Sequence, residues 1–311
     1  METAAIIGAG LIGRAWAMVF ARAGWTVHLY DATAGQVSAA QNFIAVSLAE
    51  QEAMGLVDEA KAATARILPV STLEDAVAGA AWVQENLPEI LALKQEVFTA
   101  LDRAAAPATV LASSTSAIPA SQFTEDLPGR ARCLVAHPVN PPHLVPVVEL
   151  CGAPWTTRAT IDRAYAVMSA IGQVPVVVKR ELQGFILNRL QGALLTEAMR
   201  LVGEGYISPA DLDKTISAGL GLRWSFLGPF ATIELNAPGG VADYCARYAE
   251  FYRNLARTPA GPESWSAANA AHVADAMGNS FDATQRDARM QWRDRRLMAL
   301  VKHQREQPDS N

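Results

Sequence analysis

His137 and Glu149 are the side chains whose types and spacing point most directly to proton transfer. An unperturbed imidazole titrates near neutral pH, which suits histidine to general base work. His137 closes the strand-like run Arg132 to Ala136 and leads into Pro138-Val139-Asn140-Pro141-Pro142. A turn histidine satisfied by backbone is the ordinary reading of such a residue. A strand end followed by a constrained turn favours the base instead. Glu149 follows twelve residues later, after an extended return, and is flanked by Val147, Val148 and Leu150. A carboxylate in that company is expected to be buried with a partner. Bonded to the other ring nitrogen, it would fix the tautomer and stabilise imidazolium. A second polar cluster, Ser114-Thr115-Ser116, follows the strand Thr109 to Ala112. Taken alone, Ser116 reads as a turn or N-cap serine. His143 is set aside as a loop residue, and Asn140, beside His137, is assigned to the substrate.

Both clusters need a scaffold, and the N-terminus supplies its signature. The apolar run Thr3 to Ile7 meets Gly8-Ala9-Gly10-Leu11-Ile12-Gly13, then a helical stretch from Arg14, then a second run, Thr26 to Tyr30, ending in Asp31. In a dinucleotide fold the first glycine makes the tight turn and the second admits a pyrophosphate. The third lets helix pack on strand. Gly8, Gly10, Leu11, Ile12 and Gly13 are therefore expected at the cofactor, with the helix N-terminus facing its phosphates. Asp31 lies eighteen residues past Gly13, near the ~20 expected of an acid that bonds the adenosine ribose. Asp31 would repel a 2′-phosphate, and Ala32-Thr33 offers no arginine to hold one. The reading is NAD, not NADP.

Further along, Gln36 to Ala53 and Asp58 to Ala65 suggest a helical hairpin. Strand candidates fall at Ile67 to Val70, Trp82 to Gln84, Val145 to Leu150 and Val174 to Val178, with a helix at Ile90 to Ala104. Strands alternating with helices predict an α/β fold, a Rossmann-type, doubly wound, mostly parallel sheet. After Lys179 only helical patterns remain: Phe185 to Glu204, Pro209 to Ala218, Gly239 to Ala256 and Arg286 to Gln304. The expected domains are 1–182, binding NAD, and 183–311, all-helical and carrying the substrate. The chain has 311 residues, 50% apolar and 18% charged, with net charge −5. That balance argues against a disordered or nucleic-acid-binding protein. No apolar run reaches the ~18 residues of a membrane span, and no signal peptide is recognisable. Cys133, Cys151 and Cys245 are odd in number and not spaced as metal ligands. No metal site is expected, and free thiols suit the cytoplasm.

Two residues of the helical half stand out. Gly184, Asn188 and Gly192 recur every four residues, which places them on one helix face, with Ile186, Leu190 and Leu194 as a core stripe on another. Asn188 can be an amide at a site or a buried structural one. Arg223 lies in what reads as a glycine-rich break between helices, Gly219 to Gly221, beside Trp224 and Phe226. A guanidinium beside aromatic walls suits a free carboxylate; the alternative is a structural salt bridge. The hairpin's Glu50, Glu52, Asp58 and Glu59 outweigh Lys61 and Arg66, a poor surface for coenzyme A phosphates.

These motifs, together with Gly184-Phe185-Ile186-Leu187-Asn188-Arg189-Leu190 and in the same order, resemble the 3-hydroxyacyl-CoA dehydrogenase superfamily. Gly10-Leu11-Ile12-Gly13-Arg14-Ala15-Trp16-Ala17-Met18, Ala136 to Pro142, Gly219 to Arg223 and Gln291-Trp292-Arg293-Asp294 are similar to its lambda-crystallin/L-gulonate 3-dehydrogenase branch. The resemblance implies that His137 is the catalytic base and Glu149 its partner, while Ser116 and Asn188 contact the reacting oxygen. It implies NAD contacts for Asp31, Glu89 and Lys94, and a homodimer formed through the helical domain. Ser114 departs from the pattern, because acyl-CoA members usually carry asparagine there. The expected activity is NAD-dependent oxidation of the 3-hydroxyl of a free hydroxy acid, with L-gulonate the leading candidate and Arg223 holding its carboxylate. The alternatives are a 3-hydroxybutyryl-CoA dehydrogenase, an L-carnitine dehydrogenase, and a crystallin-like protein without turnover.

Overall fold

A computed structural model describes residues 2–278 and 283–307. The expected domain limits at Met1 and Asn311 lie outside them. The chain divides into two compact units: Arg189–Gln291 form one, and the other described residues, Trp292 onward included, form the second.

In the larger unit the apolar runs become eight strands: β1 (Thr3–Ile7), β2 (Thr26–Tyr30), β3 (Ile67–Pro69), β4 (Trp82–Glu85), β5 (Val110–Ser113), β6 (Cys133–Pro138), β7 (Val147–Gly152) and β8 (Val174–Val178). They make one sheet in the order β3-β2-β1-β4-β5-β6-β7-β8. Every neighbouring pair is parallel except β6 and β7. The extended return after His137 is therefore an antiparallel strand, which sets His137 directly opposite Glu149. Strand order reverses between β1 and β4, and ligands of open α/β sheets bind beyond the carboxyl ends at that crevice.

Helices cover both faces, so side chains alternate between two cores along each strand. On one face Ala4 and Ile6 pack with Trp16 and Phe20 of α1 (Leu11–Arg22), with Ile44 and Leu48 of α2 (Gln36–Ala53), with α3 (Ala60–Ala65) and with α7 (Arg158–Ala170). On the other, Ala5 and Ile7 pack with α4 (Leu73–Val77), with Phe98 and Leu101 of α5 (Leu91–Ala104), and with α6 (Ser121–Thr124). Helices α4, α6 and α7 escape a reading by periodicity. Two of them are at most five residues long, and α7 buries only Ala164 and Met168.

The smaller unit holds most of α8 (Phe185–Gly203), then α9 (Pro209–Thr215), α10 (Gly221–Trp224), α11 (Pro229–Leu235), α12 (Gly240–Leu255) and α13 (Ala267–Ala276). The expected break at Gly219–Gly221 is corrected. A π-helical turn, Ile216–Leu220, joins α9 to α10, so the helix runs unbroken from Pro209 to Trp224. A Cβ at Gly221 would approach the Ile216 carbonyl oxygen to 3.0 Å, so this glycine suits a bulged turn and not a helix stop. The expected core stripe is corrected too. Ile186, Leu190 and Leu194 are 42%, 66% and 40% exposed. Their periodicity is real, but the described residues supply no layer over them, and α12 buries none of its own side chains.

Candidate active site

The glycine turn has the conformation its sequence asks for. Gly8 takes φ +91° and donates its N–H to the Tyr30 carbonyl at 2.8 Å. A Cβ on Gly13 would lie 1.8 Å from the Gly8 carbonyl oxygen, so only glycine lets α1 pack against the turn. At Gly10 a Cβ would meet nothing within 4 Å. No side chain caps α1 and no acid occupies its first turn, which leaves its positive end available to an anion. Leu11 and Ile12 form that first turn. Asp31 ends β2 with its carboxylate accepting from Ala9 N–H and Thr33 N–H, both at 2.8 Å. The acid is thus fixed beside the turn. An open second glycine, an uncapped helix start and an anchored acid fit a dinucleotide.

The polar cluster after β5 divides its labour. The Ser114 hydroxyl accepts from Trp16 Nε1 at 3.0 Å and from Gln84 Nε2 at 2.7 Å, and donates to Asn86 Oδ1 at 2.7 Å. It is spent on the floor beneath the glycine turn. Ser113 donates to Glu85 Oε2 at 2.5 Å, and Glu85 pairs with Lys94 at 3.1 Å. Lys94 is 1% exposed, so its ammonium is held inside the fold by Glu85 and the Leu87 carbonyl. Periodicity gives no hint of Glu85 or Gln84, which sit inside the apolar strand β4. Glu89 lies at the surface and accepts from the Thr115 hydroxyl and from the N–H groups of Ala117 and Ile118 at 3.1 Å. Burial alone would raise its pKa. The Thr115 hydroxyl, the Lys94 charge and the two N–H groups outweigh that and hold it below the usual carboxylate range.

His137 and Glu149 meet as expected. Nδ1 lies 2.8 Å from Oε2, and both side chains are buried. The other carboxylate oxygen accepts from Ile186 N–H at 2.8 Å and Leu187 N–H at 3.0 Å, the start of α8. Desolvation would raise the pKa of Glu149, but His137, the Leu187 and Ile186 N–H groups and the imidazole's charge bring it below the ordinary value. Gly184, expected on the face of α8, instead precedes the helix at φ +76°, and Phe185 follows at φ +46°. Two successive left-handed residues aim the N–H groups at Glu149, and a non-glycine there carries strain. The fully buried Phe185 ring lies 5.4 Å from the imidazole. His137 Nε2 makes no hydrogen bond to the described residues, so it is the nitrogen left to accept a proton.

Asn188 and Ser116 are also brought together: Asn188 Nδ2 donates to the Ser116 carbonyl at 2.9 Å. Ser116 and Asn140 are exposed. His143 is in a loop but buried, with Arg22 Nη1 donating to its carbonyl at 2.7 Å. In the helical unit, Arg223 is exposed and forms no ion pair among the described residues.

Comparison with known proteins extends this picture over the whole chain. Residues 3–181 match the NAD binding domain of 3-hydroxyacyl-CoA dehydrogenase, and residues 184–279 match its C-terminal domain. The chain is 44% identical over 307 residues to a lambda-crystallin homolog of Bos taurus, covering 96% of this chain and 95% of that one. It is 38% identical over 239 residues to an L-carnitine dehydrogenase of Streptomyces griseus, covering 76% and 71%. Among solved structures it superposes on 5-formyl-3-hydroxy-2-methylpyridine 4-carboxylic acid 5-dehydrogenase, an NAD+-dependent dismutase. The TM-score is 0.83 and the identity 27%, over 99% and 100% of the two chains. The chain belongs to the 3-hydroxyacyl-CoA dehydrogenase superfamily, in its lambda-crystallin branch, and is an NAD-dependent oxidoreductase acting on a CH–OH group.

Proposed function

We propose that this enzyme oxidises the 3-hydroxyl of a free hydroxy acid, with L-gulonate to 3-dehydro-L-gulonate the leading reaction. The observation that carries the free acid is Arg223. It is an exposed guanidinium that no described carboxylate neutralises, and it lies in the helical turn that follows a π-helical one. Such turns recur at functional sites, and a guanidinium can grip a carboxylate bidentately. We assign Arg223 to the substrate carboxylate and Asn140 to its hydroxyls. The similarity to lambda-crystallin homologs supports the same reading.

With Glu149 ionised, Nδ1 of His137 carries the proton and donates to Oε2, leaving Nε2 as the acceptor. His137 then takes the hydroxyl proton, and Glu149 stabilises the imidazolium that forms. The Ser116 hydroxyl and the Asn188 amide face the developing alkoxide. Bound NAD is the hydride acceptor of the family's chemistry. The turn at Gly8–Gly13 and Asp31 hold it, with Glu89 and Lys94 shaping the loop beside it.

We assign a homodimer built on the helical unit. Its exposed Phe226, Phe230, Leu235, Phe251 and Leu255 are too extensive an apolar surface for a monomer. A cytoplasmic location agrees with three free cysteines. Among the described residues no helix is long and apolar enough to cross a membrane. Initial rates of NADH formation with L-gulonate, L-carnitine and 3-hydroxybutyryl-CoA test the substrate. The highest kcat/KM is expected for L-gulonate, and a thioester preferred over both acids would overturn the free-acid reading.

A further inference from the structure

Thr115 has no role in the reaction described so far, yet it is 1% exposed, and both its hydroxyl and its N–H are engaged. Its hydroxyl donates to Glu89 Oε1 and accepts from Ile118 N–H at 2.9 Å and Ala117 N–H at 3.4 Å. Its own N–H donates to Ser113 Oγ at 3.1 Å, and Ser113 is tied in turn to the buried Glu85–Lys94 pair. Glu89 adds bonds from Ala117 and Ile118, and a longer one of 3.4 Å from Ser116 N–H. The residue between these anchors is Ser116, whose carbonyl receives the Asn188 amide. The backbone on which both alkoxide-facing groups depend is thus fixed by one buried hydroxyl and one surface carboxylate.

We propose that Thr115, braced by Glu89, is a positioning residue of the reaction: it sets the Ser116–Ile118 turn and so places the Ser116 hydroxyl and the Asn188 amide. This rests on the assignment of Ser116 and Asn188 to the reacting oxygen. The role is separable from cofactor binding, because Thr115 is enclosed by protein partners and the turn's closer bonds to Glu89 all fall on a single oxygen, Oε1. Valine has the shape of threonine without the hydroxyl, whereas serine keeps the hydroxyl and loses a methyl. The pair therefore separates hydrogen bonding from filling of space.

Thr115→Val, Thr115→Ser, Glu89→Gln and Ser116→Ala are compared by kcat with saturating substrate, by NADH affinity from fluorescence titration, and by melting temperature. Thr115→Val is expected to lose roughly 10- to 100-fold in kcat, the scale of a misplaced alkoxide donor. NADH affinity should stay within about twofold of wild type, and Thr115→Ser should keep kcat within about threefold. Glu89→Gln strips the charge from the same brace, leaving neutral bonds where charge-assisted ones stood, without touching the buried position, so it decides the matter if Thr115→Val does not fold. It too should lower kcat and spare NADH affinity. NADH affinity falling in step with kcat in Glu89→Gln or Thr115→Val would overturn the positioning role and return this turn to the cofactor. A full-rate Thr115→Val beside an impaired Ser116→Ala would overturn it alone. A full-rate Ser116→Ala would overturn the reading of Ser116, and this one with it.

Discussion

Glu149 shares its carboxylate between His137 and the first turn of α8: one oxygen lies 2.8 Å from His137 Nδ1, the other 2.8 Å from the Ile186 nitrogen. The base is thus held by the helix that carries Asn188, four residues into its length. A residue that orients the imidazole also ties down the amide expected to face the same substrate oxygen.

That linkage predicts distinct losses for the two members of the pair. His137→Ala should lower kcat by ~10²–10⁴, the usual size of a lost general base, with NADH affinity unchanged in a fluorescence titration. Glu149→Gln should lose a smaller factor, because the imidazole stays but the charge that steadies imidazolium goes. A His137→Ala variant turning over near the wild-type rate would remove His137 from the mechanism.

His143 predicts a slope of stability with pH. Burial, reinforced by the charges of Arg22, Arg14 and Arg293, pushes its imidazole from 6.5 down to about 3. The folded protein therefore keeps it neutral where the unfolded chain would protonate it. Below 6.5 the unfolded state binds the extra proton, so stability is lost as pH falls from 6.5 toward 3. Between pH 6.5 and about 5 the loss is on the order of 2 kcal/mol. His143→Asn should flatten the melting temperature over that window, and an unchanged slope would place the acid sensitivity elsewhere.

Asp31 predicts cofactor choice. Its carboxylate sits at the end of β2, fixed by Ala9 and Thr33, where a 2′-phosphate would meet negative charge. The enzyme should prefer NAD over NADP by kcat/KM. Asp31→Ser with Ala32→Arg should shift the ratio toward NADP. Equal efficiency with both cofactors in the unaltered enzyme would contradict the assignment.

Legibility followed local chemistry. The glycine turn is readable because Gly8 and Gly13 meet steric demands that no other residue satisfies, and Asp31 because its spacing is set by one strand-helix-strand unit. His137 and Glu149 are readable because an antiparallel return places them in register. The Glu85–Lys94 pair and the Ser114 hub are not. The Ser114 hub joins elements distant in sequence, and no periodicity marks a glutamine or glutamate inside a buried strand. The stripe Ile186, Leu190 and Leu194 was legible as a helix face but not as an exposed one. Period alone says which side is apolar, not what covers it. The π-helical turn before Arg223 looked like a stop because glycines that end helices and glycines that admit a bulge are the same residue.

The most direct measurement of the free-acid assignment is kcat/KM of Arg223→Met with L-gulonate and with a neutral lactone or ester analogue that keeps the 3-hydroxyl. Loss of a charge-assisted contact to the carboxylate should lower the value for the acid by roughly 30- to 1,000-fold, with little change for the neutral analogue. Equal losses for both compounds, with a lowered melting temperature, would make Arg223 structural and contradict the account.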